Sequence, residues 1–261
     1  MVGVTDDAVM TRREVSAEHH LGAEMKRSAR ITAALTAAVV TACGPLVDSA
    51  DAPPATPDKP DCGALFVVVR SYADVSRAVN ALVRDVEVAL RGGCWVDVYD
   101  LDGTPAGSMP LDLGVDQKID AKNDAARRRQ RDEIHTRLTE RIRELFADRP
   151  MVEASVDLVD VLDVFGRRAV ARGATHLVVL TTGVQKSAGI DVWAGNVPAE
   201  ISVEPLPDGV RTVLKGIGDF GGLQSDVDAD LARRVGEAAD KICAAAGCAV
   251  LSTFDAPIGG W

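Results

Sequence analysis

Two short, unbroken apolar runs constrain this chain more than anything else in it: Leu65-Phe66-Val67-Val68-Val69 and Leu177-Val178-Val179-Leu180, the second opened by His176 and closed by Thr181. Neither run alternates apolar with polar residues, so each reads as a strand covered on both faces. Such strands belong to parallel sheets with helices packed on either side. The chain supplies the helices. Val75, Val79, Leu82, Val86 and Leu90 recur at helical spacing after the first run, with Ser71 placed to cap that helix and Gly92-Gly93 to end it. Residues 95–101 then read as a second strand, and a strand–helix–strand unit implies parallel pairing through a right-handed crossover.

Beyond this unit, Asp102-Gly103 signals a tight turn, after which residues 108–113 are expected to fold back antiparallel. Residues 117–148 read as a charged helix with Ile134, Leu138, Ile142 and Leu145 on one face, stopped by Pro150. Val156, Val159, Leu162, Phe165 and Ala169 mark another helix, closed near Gly173. Short strands are expected near Ile201 and over residues 210–214. Ser225 or Asp226 would cap a last helix with Leu231, Val235, Ala239 and Ile242 inward, followed by a strand over residues 249–253. The fold class is therefore α/β: a three-layer, doubly wound, mostly parallel sheet with one antiparallel edge strand. Aromatic residues are scarce, so the core should be aliphatic.

A different signal precedes the domain. Lys26, Arg27 and Arg30 form a short basic stretch after Met25, and residues 31–42 are apolar or small with Thr interspersed. That run is too short to span a bilayer, which needs about 20 apolar residues, and has the length of a signal-peptide core. It ends in Val40-Thr41-Ala42-Cys43, which resembles the lipobox of bacterial lipoproteins. The resemblance implies that Cys43 is acylated and becomes the new amino terminus. Residues 44–61 contain five prolines and read as an extended tether. The expected organisation is an upstream extension over 1–24, with Met25 as the true start, a lipoprotein signal peptide over 25–42, a tether over 43–61 and one domain over 62–261. The bias towards Ala, Val, Arg, Asp and Gly is what a GC-rich, actinobacterial genome encodes.

With Cys43 assigned to lipid, Cys62, Cys94, Cys243 and Cys248 remain. Four thiols in an exported domain point to two disulfides, with three connectivities open; in a cytosolic chain they would be buried free thiols. No Cys-x-x-Cys pair is present, which leaves zinc and thioredoxin chemistry little to stand on. A formal net charge of −10 argues against a general nucleic-acid binder. The basic run Arg127-Arg128-Arg129-Gln130-Arg131 is followed by Asp132 and Glu133, so ion pairing along the helix is its first reading and contact with anionic headgroups its second.

The domain resembles the von Willebrand A-like family through the opening FVVV strand and its helix, the strand with a hairpin return, ASVDLVDVL ahead of a helix, HLVVLTTG as a central strand, GIGDF, and a final helix–strand pair. The family's usual activity is binding a partner through a divalent metal held by an Asp-x-Ser-x-Ser loop, a Thr and a further Asp. Here the loop reads Arg70-Ser71-Tyr72-Ala73-Asp74, with Arg70 where the first carboxylate should be, and Thr182 precedes Gly183 in place of Asp-Gly. A hard cation needs anionic oxygens, so the resemblance implies the fold without the metal, Asp157 alone making no site. The expected function is that of a lipid-anchored, non-catalytic binding or scaffold protein on the extracytoplasmic face of a membrane, with a protein partner at the cell envelope and no cofactor. Arg70, Ser71, Tyr72, Asp157, Thr182 and Gly183 would line its binding edge, and Arg70 could meet a carboxylate of the partner.

An enzyme reading competes. Asp100-Leu101-Asp102-Gly103-Thr104 resembles the first motif of haloacid dehalogenase-like phosphatases, which implies Asp100 as nucleophile, Asp102 as acid/base and Mg²⁺ as cofactor. Thr181, Lys186 or Lys215, and Asp219 would follow in the right order. A hairpin turn accounts for the same Asp-Gly without catalysis. His135, on a charged helix, and His176, opening a strand, have no Ser or Cys partner in the pattern of a triad. Trp193 and Trp261 lie in Gly-rich surroundings, where an exposed Trp would mark a partner surface.

Overall fold

A computed structural model describes residues 62–102, 104–187, 189–221 and 229–259. Cys43, the basic and apolar segments before it, the tether, the turn residue Gly103, the capping candidates Ser225 and Asp226, and Trp261 lie outside the described residues. No helix among the described residues is long and apolar enough to cross a membrane.

Five strands make the main sheet: β1 (Gly63–Val69), β2 (Trp95–Leu101), β3 (His176–Leu180), β6 (Arg211–Lys215) and β7 (Ala249–Leu251). Their order is β2-β1-β3-β6-β7 and every pairing is parallel. A two-stranded antiparallel ribbon, β4 (Lys186–Ser187) with β5 (Ile190–Asp191), stands apart from it. The helices are α1 (Val75–Arg91), α2 (Asp124–Phe146), α3 (Leu158–Arg172) and α4 (Ala229–Ala246). The strand order reverses between β1 and β3, as in doubly wound folds.

The central strand shows why its sequence is unbroken. Leu65, Val67 and Val69 join the apolar cluster beneath α3 and α4, while Ala64, Phe66 and Val68 join the one beneath α1 and α2. All of these are fully buried. The crossover from β3 to β6 carries no helix. Its irregular chain covers the α3/α4 side with Val184, Ile190, Val192, Ile201 and Leu206. The strand expected near Ile201 is accordingly absent: that residue packs from a loop, and the ribbon lies earlier in the same crossover.

Helix boundaries follow their caps. Asp74, not Ser71, caps α1 by accepting from the Arg77 N–H at 3.2 Å. Ser71 lies past β1 in an isolated parallel bridge to Val152, and spends its hydroxyl on the Ala154 carbonyl. Asn123 caps α2, so the helix starts seven residues later than the charge pattern implied. Asp157 caps α3, accepting from Val159 and Asp160 N–H groups, and Gly173 closes it in the left-handed conformation at φ 72°.

The antiparallel return beside β2 is reduced to one bridge, between Tyr99 and Pro110, and one bond from Leu111 N–H to the Val98 carbonyl at 2.7 Å. Pro110 has no N–H to extend that ladder. Further along the same edge a side chain replaces a strand. The Gln117 amide accepts from Val96 N–H and donates to the Val96 carbonyl, both at 2.7 Å.

Candidate functional site at the carboxyl edge of the sheet

In open α/β sheets ligands collect at the carboxyl ends of the strands, beside the point where strand order reverses. Here that place holds Arg70 and Ser71 after β1, Asp100 and Asp102 at the end of β2, Thr181 to Gly183 after β3, and Lys215 to Asp219 at the end of β6. The structure thus brings most of the residues of both sequence readings to one edge. Their side chains are engaged with each other.

Arg70 is only 5 % exposed. Its Nε donates to Asp100 Oδ1 at 2.8 Å, one terminal nitrogen to the Pro150 carbonyl at 2.6 Å and the other to Asp102 Oδ2 at 3.1 Å. Arg149 takes the second Asp100 oxygen. The guanidinium expected to meet a partner's carboxylate instead ties the end of β2 to the α2–α3 linker. Arg70 and Arg149 thus neutralise Asp100 and Asp102 at this end of β2.

The same network bears on the phosphatase reading. Asp100 has both oxygens bound by guanidinium groups and its side chain is buried, so the carboxylate is paired rather than presented as a free nucleophile. By register Asp100 lies level with Val68, Leu180 and Lys215 across four strands. That puts the Asp100 and Lys215 backbones about 14 Å apart at the usual interstrand spacing, and the Lys215 ammonium is turned to Asp85. Each remaining candidate has a partner of its own: Lys186 pairs with Asp191, Asp219 receives both terminal nitrogens of Arg77 and the Phe254 N–H, and Thr181 Oγ1 accepts from Gly183 N–H.

Thr182 is fully buried and donates to the Ser71 carbonyl at 2.9 Å, closing the notch between β1 and β3. Gly183 adopts φ 80°, and a Cβ there would meet Val235 at 2.9 Å. Asp157 is occupied as a cap. Of the six residues expected on the binding edge, Tyr72 offers the aromatic surface. It sits at φ 49°, the only non-glycine in the left-handed region among the described residues. Its N–H is held by the Val152 carbonyl and its ring meets Trp193 edge-on, centroids 5.3 Å apart. Trp193 is 46 % exposed.

Sequence reasoning named Lys215 only as a phosphatase candidate and missed its buried partner, Asp85. Lys215 Nζ donates to both Asp85 oxygens, at 2.8 and 2.7 Å, with the side chains 1 % and 6 % exposed. Burial pushes the Asp85 carboxyl above its ordinary range, against the pull of Lys215. The signal was in the helix: Asp85 stands three residues after Leu82 and four before Ala89, on the apolar stripe of α1. The carboxyl-terminal segment roofs this pair. Phe254 is fully buried over Gly216, and Asp255 is held by Arg84 and Arg77.

The cysteines pair as Cys62–Cys94 and Cys243–Cys248. His176 lies beside the first, its Nδ1 3.8 Å from Cys62 Sγ and 2.9 Å from the Thr175 hydroxyl. Cys62, Cys94 and His176 have the composition of a three-ligand metal group, but both sulfurs are spent on each other and carry no thiolate for a metal.

Comparison with protein-family models gives no match, and neither does comparison with curated proteins. Among solved structures, the TFIIH p34 N-terminal domain aligns over 69 % of this chain and 98 % of that domain, at 14 % identity and a TM-score of 0.28. A likeness this slight carries no functional argument. What stands on the chain's own geometry is its class: a three-layer, doubly wound α/β domain with two disulfides.

Proposed function

We propose that this chain is a lipid-anchored, non-catalytic binding or scaffold protein on the extracytoplasmic side of a membrane, held by an acyl group on Cys43 and meeting a protein partner through Tyr72 and Trp193. The observation that carries the reading is the cysteine pairing. The four cysteines of the domain form two disulfides, which persist in oxidising compartments. Cys43 is thereby left as the odd cysteine, at the position where the lipobox resemblance needs a free thiol. The von Willebrand A-like resemblance, which the parallel strands and flanking helices are consistent with, supports the domain as a module for partner binding.

Tyr72 and Trp193 are assigned to the partner because the rest of the edge is closed by its own hydrogen bonds. A left-handed Tyr costs of order 1–3 kcal/mol, and such strain collects at functional positions. Trp193 is exposed and Tyr72 half-buried beside it, and such residues supply large contact area at low entropic cost. The expected test result is incorporation of labelled palmitate into the chain in a bacterial host, abolished by Cys43→Ser. Failure of the intact chain to take up label sinks the anchor. A photo-crosslinking residue at 193 should trap a partner that the same residue at Val88, exposed on another surface, does not.

A further inference from the structure

The basic run at residues 127–131 has no part in the carboxyl edge. Its sequence predicts ion pairing with Asp132 and Glu133. In the structure Glu133 pairs with Arg137 instead, and among the described residues Arg127, Arg128, Arg129 and Arg131 have no carboxylate within salt-bridge distance. Arg127 and Arg131 reach only backbone carbonyls, of Ala121 and Arg91. Arg128 and Arg129 are exposed.

Their position makes this costly. The run begins close behind the cap Asn123, and Arg127 lies in the first turn of α2, where the helix dipole is positive and cations are disfavoured. Asp124, also in the first turn, answers only one of these charges. Lys118 and Lys122, also exposed, extend the patch, so residues 116–131 hold six cations against three carboxylates in a chain whose net charge is −10.

The patch also has a defined place. Lys118, Arg127 and Arg131 line a groove of about 1050 Å³ together with Cys94 and the Arg172–Asp97 pair, against Asp116 and Asp120. Cys94 is bonded to Cys62, the residue at which the tether joins the domain. Eighteen residues separate Cys62 from Cys43. Lys118, Arg127 and Arg131 therefore lie on the side of the Cys62–Cys94 disulfide, at the amino edge of the sheet, whereas Tyr72 and Trp193 belong to the carboxyl edge.

We propose that this end of α2 docks on the anionic headgroups of the membrane that holds Cys43, so that the amino edge of the sheet faces lipid and the carboxyl edge faces the partner. The proposal rests on the lipid-anchor reading. Headgroup phosphates supply the missing counter-charge, and juxtamembrane basic clusters are drawn to anionic leaflets in this way. The acidic remainder of the chain is repelled by the same surface, which fixes the orientation.

The test uses the full chain, made without its acyl group, in sedimentation with vesicles of 30 % phosphatidylglycerol in phosphatidylcholine and with vesicles of phosphatidylcholine alone. The apolar segment at 31–42 contributes to both; the difference between the two reads the charge. Arg128→Glu with Arg129→Glu should reduce the charge-dependent partition by roughly tenfold or more. Arg137→Glu with Arg143→Glu, the same charge change further along α2, should reduce it less than about threefold. Circular dichroism confirms that both variants fold. Equal losses in the two variants, or no preference for anionic vesicles, overturn the proposal; so does binding to heparin without binding to vesicles, which would assign the patch to a soluble polyanion. Mass spectrometry of Cys43 from a bacterial host separates the two readings: an unmodified Cys43 beside charge-dependent binding removes the anchor and leaves the docking face.

Discussion

Replacing one member of the Lys215–Asp85 pair tests whether the carboxyl edge is built as an electrostatic keystone. Both side chains are almost fully buried and both carboxylate oxygens are bonded to the ammonium. Asp85→Asn keeps the shape and leaves Lys215 charged without a counter-ion; breaking a buried pair from one side costs about 3–5 kcal/mol. With a urea slope of about 2 kcal/mol/M, the unfolding midpoint should fall by about 1.5–2.5 M. Lys215→Met differs in its pH dependence. Asp85 is already held above its ordinary value by burial, and without the lysine nothing opposes that. A folded pKa above the unfolded one means the folded state keeps the proton to higher pH, so stability rises as pH falls through the raised value. The penalty of Lys215→Met should therefore shrink on acidification towards the unfolded carboxylate range, while that of Asp85→Asn should not shrink with it. The double change Asp85→Leu with Lys215→Met should recover most of the loss. Urea titrations followed by circular dichroism at several pH values give all three quantities. A loss below about 1 kcal/mol for Asp85→Asn, or a double variant worse than either single one, would refute the reasoning.

Other contacts set three further outcomes. Cys62→Ser with Cys94→Ser opens a loop of 32 residues' separation and should cost about 3–4 kcal/mol; Cys243→Ser with Cys248→Ser, separated by 5, should cost about 2. Thermal unfolding should rank them in that order. Gly216→Ala should destabilise by more than about 2 kcal/mol, because φ is 92° and the new Cβ would lie 2.3 Å from the buried Phe254 ring; an unchanged midpoint would deny the roof its packing role. The Arg84 and Arg77 guanidinium groups hold the Asp255 carboxyl below the usual carboxylate range. Their contribution is complete above the unfolded value and lost as pH falls through the lowered one, so limited proteolysis with an acid-active protease should cut near Asp255 more readily as pH drops below about 4. Arg84→Ala should show the same cleavage at higher pH.

Much of this fold is legible in the sequence because period and propensity agree along it. The apolar stripe of α1 and the unbroken β1 and β3 runs each admit one reading, and the structure gives those elements. Cap chemistry is harder to read. Ser71 and Asp74 are both capping residues three positions apart, and only the isolated bridge from Ser71 to Val152 decides between them. The start of α2 is hidden because residues 116–122 are as charged as the helix, and charge does not distinguish a helix from an extended edge. The site is legible as a place and not as a chemistry. Spacing brings Arg70, Asp100 and Thr182 to one edge, but whether a carboxylate there is free or neutralised depends on Arg149, which arrives from the far end of α2 and gives no local signal. Asp85 is detectable as a charge on an apolar stripe; its partner, 130 residues away, is not.

The Gln117 side chain has a consequence outside the monomer. β2 is an outer strand, and its unpaired peptide groups would invite a strand from any neighbouring copy. The proposed anchor would confine copies to two dimensions, where encounters are frequent and orientations are shared, the conditions under which exposed edges zip into fibres. A single primary amide presents one donor and one acceptor at the spacing of a peptide, satisfies Val96, and offers nothing to extend from. The chain ends its sheet with a group that resembles a strand to one neighbour and a dead end to the next.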